Sequence, residues 1–126
     1  MAAAEVAERA GAIAMQTHQR LAGVVENMSW LEMPDGSRME VFGAGGGAAV
    51  SEALTKLVGA EVPLLGQIPL EPALREAGDA GEPFVLRSPD TQAARALNAI
   101  ADRLAVRRES LAGKPLGLLN GPGGRK

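Results

Sequence analysis

The chain has 126 residues, a formal net charge of −2, 46% hydrophobic residues and only 2% aromatic ones, which suits one small domain with an aliphatic, alanine-rich core and excludes a disordered chain. The charge balance excludes the basic face of a nucleic-acid binder, and no run of ~18 apolar residues is present to span a membrane. Cysteine is absent and His18 is the only histidine, so disulfides and thiolate-bound zinc or iron–sulfur sites are excluded.

The first segment reads as a helix, because Ala3, Val6, Ala10, Ile13 and Thr17 recur at helical steps on one face. It starts at the first residues without a Ser, Asp or Asn to cap it, so the sequence is expected to begin in the middle of a fold. No positive n-region precedes it, so no signal peptide is expected and the cytoplasm is the expected compartment. His18 lies among Gln16, Thr17, Gln19 and Arg20 and reads as a solvated helix-end residue.

Leu21-Ala22-Gly23-Val24-Val25 is a short apolar run without alternation, which predicts a strand buried on both faces of a parallel sheet. It ends in Glu26-Asn27-Met28-Ser29. The stretch from Trp30 to Gly43 is polar, and Pro34-Asp35-Gly36 predicts a turn inside a small hairpin. Trp30 and Met28 read as packing residues under that loop.

Gly43-Ala44-Gly45-Gly46-Gly47 opens a second helix with Val50, Ala53, Leu54, Leu57 and Val58 as its buried stripe and Gly59 as its stop. Val62 to Ile68 is a second strand, placed at an edge or end by Pro63 and closed by Pro69. A short helix follows, with Pro72 in its first turn, Leu74 facing inward, and Gly78 and Gly81 ending it. Ser88-Pro89-Asp90 predicts the start of a last helix whose apolar face is Ala93, Leu97, Ile100, Ala101 and Leu104. From Ser110 the chain is rich in Gly and Pro and reads as a flexible tail.

Strands alternating with helices predict an α/β fold with parallel pairing. Two buried parallel strands need neighbours on both sides, so part of the sheet is expected to be missing.

Four patterns invite a functional reading. Gly43, Gly45 and Ala48 satisfy the dinucleotide-binding spacing, with Glu61 near the downstream acid position. That fingerprint requires a buried strand just before it, and Met39-Glu40-Val41-Phe42 fits a surface hairpin better; the glycines read as a sharp turn with close helix packing. Glu71, Arg75 and Glu76 read as helix-start acids and an exposed Glu71–Arg75 pair. Arg103, Arg107 and Arg108 read as basic residues complementing a helix dipole, with a membrane surface as the weaker alternative. Asn27 lies at the carboxyl end of a strand, where open α/β sheets bind ligands. Its amide either caps the turn or pairs with the edge of a base.

Four segments carry a family resemblance: Gly23-Val24-Val25-Glu26-Asn27-Met28-Ser29, Phe42-Gly43-Ala44-Gly45-Gly46-Gly47, Gly66-Gln67-Ile68-Pro69-Leu70-Glu71-Pro72-Ala73-Leu74-Arg75-Glu76, and Ser88-Pro89-Asp90-Thr91-Gln92-Ala93-Ala94. In order and spacing they resemble the C-terminal part of Mrp/ApbC-type iron–sulfur cluster carrier ATPases, a ParA/MinD-like, deviant-Walker branch of the P-loop proteins. The resemblance implies a partial P-loop NTPase-like parallel sheet with flanking helices, without the N-terminal Walker A half. Residues 1–108 would be the C-terminal part of that ATPase domain and 109–126 a flexible tail.

The resemblance further implies an ATP site, with Mg in the full-length family, whose adenine side is Asn27 together with Ile68, Pro69 and Leu70. It implies a homodimer or a missing N-terminal half as partner, iron–sulfur apoproteins as clients, and neither nucleic acid nor membrane. Two departures stand out. No G-K-[ST] occurs in the chain, so no phosphate-binding loop is present. The loop that carries a C-P-x-C pair in many members reads Trp30-Leu31-Glu32-Met33-Pro34-Asp35-Gly36-Ser37, so the family's cluster has no cysteine ligands here. The expected role is a fragment of an ATP-binding iron–sulfur carrier, inactive alone; the alternative is a free-standing module that docks on a full-length relative.

Overall fold

A computed structural model describes residues 2–109. In chain order it contains helix α1 (Ala2–Gln16), strand β1 (Val24–Glu26), strands β2 (Leu31–Glu32) and β3 (Arg38–Met39), helix α2 (Gly46–Val58), strand β4 (Leu64–Gln67), and helices α3 (Pro72–Ala80), α4 (Phe84–Arg87) and α5 (Gln92–Glu109). The expected α/β alternation is present: β1 pairs with β4 in parallel, and β2 with β3 as an antiparallel hairpin. The expected tail lies outside the described residues.

The core forms two clusters. Val50 and Leu54 of α2 meet Val62, with Ala4, Ala7, Leu21, Val24 and Val58 packed against them. Leu65, Ile68, Ala77, Phe84, Ala93, Ala94 and Ile100 form the other. Successive residues of β4 face opposite ways, as alternation along a strand requires. Leu64 leans towards Gly47 of α2, while Leu65 enters the second cluster.

The face of α1 picked out by its larger apolar residues is not the one that packs. Val6 and Ile13 are 64% and 60% exposed. The helix docks instead through Ala4, Ala7 and Gly11, where a Cβ on Gly11 would lie 2.3 Å from Leu54 Cδ2. Small residues allow close approach of two helices, and here closeness outweighs side-chain bulk. β1 departs from expectation for a related reason: its outer residue Val25 is 41% exposed, so the strand is not buried on both faces.

Several local expectations need correction. Leu57, placed in the buried stripe of α2, is 47% exposed. α3 runs through Gly78 and ends at Gly81, whose left-handed backbone (φ 70°) forms the C-cap. The last helix begins at Gln92 because Ser88 closes α4, its N–H donating to Phe84 O. Thr91 takes over as the cap: Ala94 N–H donates to its Oγ1 at 3.2 Å. Glu71 makes no ion pair with Arg75 among the described residues; its Oε2 accepts from Ala93 N–H at 3.4 Å, near the positive end of α5. α4, with Phe84 only 5% exposed in the core, has no counterpart in the sequence reading.

The ladder between β1 and β4 contains an irregularity. Val24 pairs with Leu64 and Val25 with Gly66, which leaves Leu65 without a partner across the strands. Arg103 of α5 supplies one, its Nη1 donating to Leu65 O at 2.6 Å. That guanidinium therefore serves the sheet as well as the helix end.

Candidate functional site

The carboxyl ends of β1 and β4 point to the same side of the sheet, and the chain leaves both strands there in a tight double connection. Ile68 N–H donates to Glu26 O (2.9 Å), Ser29 N–H to Ile68 O (3.0 Å), and Leu70 N–H to Trp30 O (2.7 Å). Segments 26–31 and 68–70 thus stay zipped together beyond the regular strands, ending in a bridge between Leu31 and Leu70.

Within this zipper, Asn27 and Met28 form a bend that projects outward. Met28 has a left-handed backbone (φ 56°), which is costly for a residue with a Cβ and marks a held conformation. Three bonds hold it: Met28 N–H donates to Asn27 Oδ1 (2.9 Å), Ser29 Oγ donates to Glu26 O (2.9 Å), and buried Ser29 is fixed to Ile68. Met28 is 47% exposed, not packed under the loop as expected.

The bend lines one end of an open cleft of about 610 Å³. Its other walls are Ala3, Ala4 and Ala7 of α1, Val24 and Val25 of β1, and the Phe42–Gly47 loop. Of the residues expected beside a base, Asn27 is exposed and borders this cleft. Ile68 and Pro69 are buried and Leu70 is half-buried; the three lie next to Asn27 through the zipper but outside the cleft wall. The amides of Ile68 and Leu70 are already bonded, and Pro69 has none to offer.

Glu26 is the polar centre of the site, and the sequence reading assigned it nothing. Its Oε1 accepts from Gly47 N–H at 3.0 Å and its Oε2 from Gln67 Nε2. The bond from Gln67 and those from Gly47, Ser29 and Gly46 hold the carboxyl below the usual carboxylate range despite some desolvation. The stability this adds is present above the ordinary carboxylate pKa and is lost as pH falls through the lowered value.

The same bond settles what the glycine loop does. Gly45, in left-handed conformation (φ 79°), precedes α2 and brings no side-chain cap. The positive helix end is instead met by a carboxylate 21 residues upstream in sequence. The turn at Val41–Gly43, after the two-residue β3, takes the place of the buried strand that a dinucleotide fingerprint requires. The glycines are a packing device: a Cβ on Gly47 would meet Glu26 Cβ at 2.8 Å and Leu64 Cδ1 at 2.9 Å.

The β2–β3 hairpin adjoins the site through the Leu31–Leu70 bridge. Arg38 stacks on Trp30 with its guanidinium carbon 4.1 Å from the ring centroid. Trp30 Nε1 is buried and has no hydrogen-bond partner among the described residues. No group of three or more His, Cys, Asp or Glu side chains that could hold a metal ion occurs among the described residues. His18, the exposed residue that closes α1 with φ 56°, is a helix-end histidine as expected.

A family model described as the NUBPL iron-transfer P-loop NTPase, of the ParA group, matches residues 1–105. The chain belongs to this family. Among curated relatives, the iron–sulfur cluster carrier protein of Mycobacterium tuberculosis is 64% identical over 118 residues, which is 94% of this chain. The carrier protein of Synechocystis is 46% identical over 85 residues, or 66% of the chain, and that of Saccharolobus solfataricus 41% over 92, or 72%. The chain spans about a third of the length of the mycobacterial relative, 31%. A small parallel sheet with flanking helices is consistent with part of the fold this family shares. No helix among the described residues is long and apolar enough to cross a membrane.

Proposed function

We propose that this chain is the C-terminal part of an ATP-binding iron–sulfur carrier, and that it supplies the adenine side of the nucleotide site and a share of a dimer surface. The observation that carries the reading is Asn27: an exposed amide on a braced bend, at the carboxyl ends of two parallel strands, on the rim of a cleft. Its Nδ2 can donate to a base while the free lone pair of Oδ1 accepts. The Ile68-Pro69-Leu70 segment, zipped to the same bend though outside the cleft wall, would complete the adenine side next to Asn27. Phosphate and Mg binding would come from the absent G-K-[ST] half. Exposed Val6, Ile13 and Val25 are surfaces such a half would cover. The proposed compartment is the cytoplasm.

The test uses a joined protein, in which this chain replaces the matching third of the M. tuberculosis relative. Asn27→Ala in that protein should weaken ATP binding about tenfold or more, the range for losing a paired base contact. Equilibrium dialysis with labelled ATP measures it, with GTP as a control for base discrimination. Unchanged ATP affinity would remove the base-side assignment.

Cluster carriage is expected to depend on something other than this chain. The hairpin that bears cysteines in many relatives offers Met33 and Pro34 here, and soft iron–sulfur clusters require thiolates. Anaerobic incubation of the 126-residue chain with ferrous iron and sulfide should give no cluster absorption after desalting. A retained visible chromophore would contradict that expectation.

A further inference from the structure

We propose that Glu26 is a positioning residue: its carboxylate, at the cleft wall itself, holds the Gly43–Gly47 loop in place beside Asn27. The inference rests on the base-side reading above and adds the residue that fixes the pocket's width.

Three elements converge on this side chain. It stands on the last residue of β1, immediately before Asn27. Oε1 takes the Gly47 amide at the start of α2, and Oε2 takes the Gln67 amide on the last residue of β4. The loop's backbone–backbone bonds among the described residues are local, from Gly43 N–H to Glu40 O and from Ala49 N–H to Gly45 O. Gly43 and Gly45 are both left-handed, at φ 87° and 79°, and have open space around them. Phe42, just before them, is 69% exposed. Of the loop's glycines, Gly46 and Gly47 are the ones that come close to other elements, Gly46 to Glu26 and Gly47 to Glu26 and Leu64. A charge-assisted bond to a helix N-terminus is among the stronger hydrogen bonds, and it is directional. Without it the loop retains flexible glycines and loses its fixed point. Phe42, Gly43 and Ala44, which line the cleft, would move with it.

The geometry separates the roles of neighbours. Asn27 offers an exposed amide to a ligand, whereas each Glu26 carboxylate oxygen already accepts a bond from a protein donor, Gly47 or Gln67. Substituting Glu26 should therefore change how well a base is held through the loop wall, while substituting Asn27 should leave that wall undisturbed.

The experiment is amide hydrogen exchange by mass spectrometry on the joined protein, alongside steady-state ATP hydrolysis. Glu26→Ala should speed exchange over residues 43–49 about tenfold and raise KM for ATP with kcat changed far less. Glu26→Gln, which keeps an oxygen for Gly47 and is less of a folding risk, should restore most of the protection and most of the KM. Asn27→Ala should raise KM with no change in exchange over 43–49. Wild-type exchange over these residues in both Glu26 variants overturns the proposal. If the loop loosens in Glu26→Ala but KM is unchanged in that variant, the wall has no part in binding and the proposal is equally overturned. An unchanged KM in Asn27→Ala, with Glu26→Ala still raising it, removes the Asn27 assignment and leaves Glu26 supported.

Discussion

ATP turnover should be absent from the 126-residue chain and present in the joined protein. A triphosphate carries several negative charges that need a cradle of backbone amides and a lysine at fixed positions. The chain has no G-K-[ST]. Its one glycine-rich loop opening a long helix cannot substitute, because the Gly47 amide at that helix start is bonded to the Glu26 carboxylate. A phosphate brought there would meet a negative charge where a nest should be. The measurement is phosphate release at saturating ATP and Mg. Turnover by the chain alone, above that of its Asn27→Ala variant, would overturn both the assignment of missing parts and the division of labour between the two portions.

Gly66→Val should destabilise the chain by ~2–3 kcal/mol, the upper range for overpacking a core. Gly66 lies on β4 where α5 crosses it. A Cβ there would come 2.6 Å from Ile100 Cγ1 and 3.0 Å from its Cδ1, and Ile100 is 7% exposed. Buried Ile100 has little room to turn away. The milder Gly66→Ala should recover part of its loss when combined with Ile100→Val, which removes one of the two clashing carbons. The pair should therefore be non-additive by ~1 kcal/mol, as expected for residues in contact. Urea unfolding followed by circular dichroism gives all four corners of the cycle. Strict additivity would mean that β4 and α5 do not touch as described.

What could be read from the sequence divides along the range of the interactions. Gly59 as the stop of α2, Pro72 in the first turn of α3 and the Pro34-Asp35-Gly36 turn are local signals, and each lies where local chemistry puts it. The packing face of α1 was not readable by bulk, because the contact with Leu54 is made by alanines and a glycine. α4 spans four residues, too few for a period, so Phe84 carried no signal of its own. Ser88 has the composition of a cap, but Phe84 had already claimed it for the preceding helix. The bend at Asn27 was placed correctly at a strand end. Glu26 was invisible because a cap supplied from 21 residues away leaves no pattern near the helix it serves. An acid next to Asn27, paired with an uncapped glycine start, is the sign that could have raised it.

The carbonyl of Leu65, at the irregular step of the ladder, ties distant parts of the chain together. Its bonding partner comes from α5, the last element, yet the misfit it heals lies in the first strand pairing. The zipper downstream of that point aligns Asn27 with Ile68. Cutting the polypeptide before Arg103 would thus do more than shorten α5 at its end. It would leave the Leu65 carbonyl, at the irregular step of the ladder, without its Arg103 donor, just upstream of the bonds that set Asn27 beside Ile68.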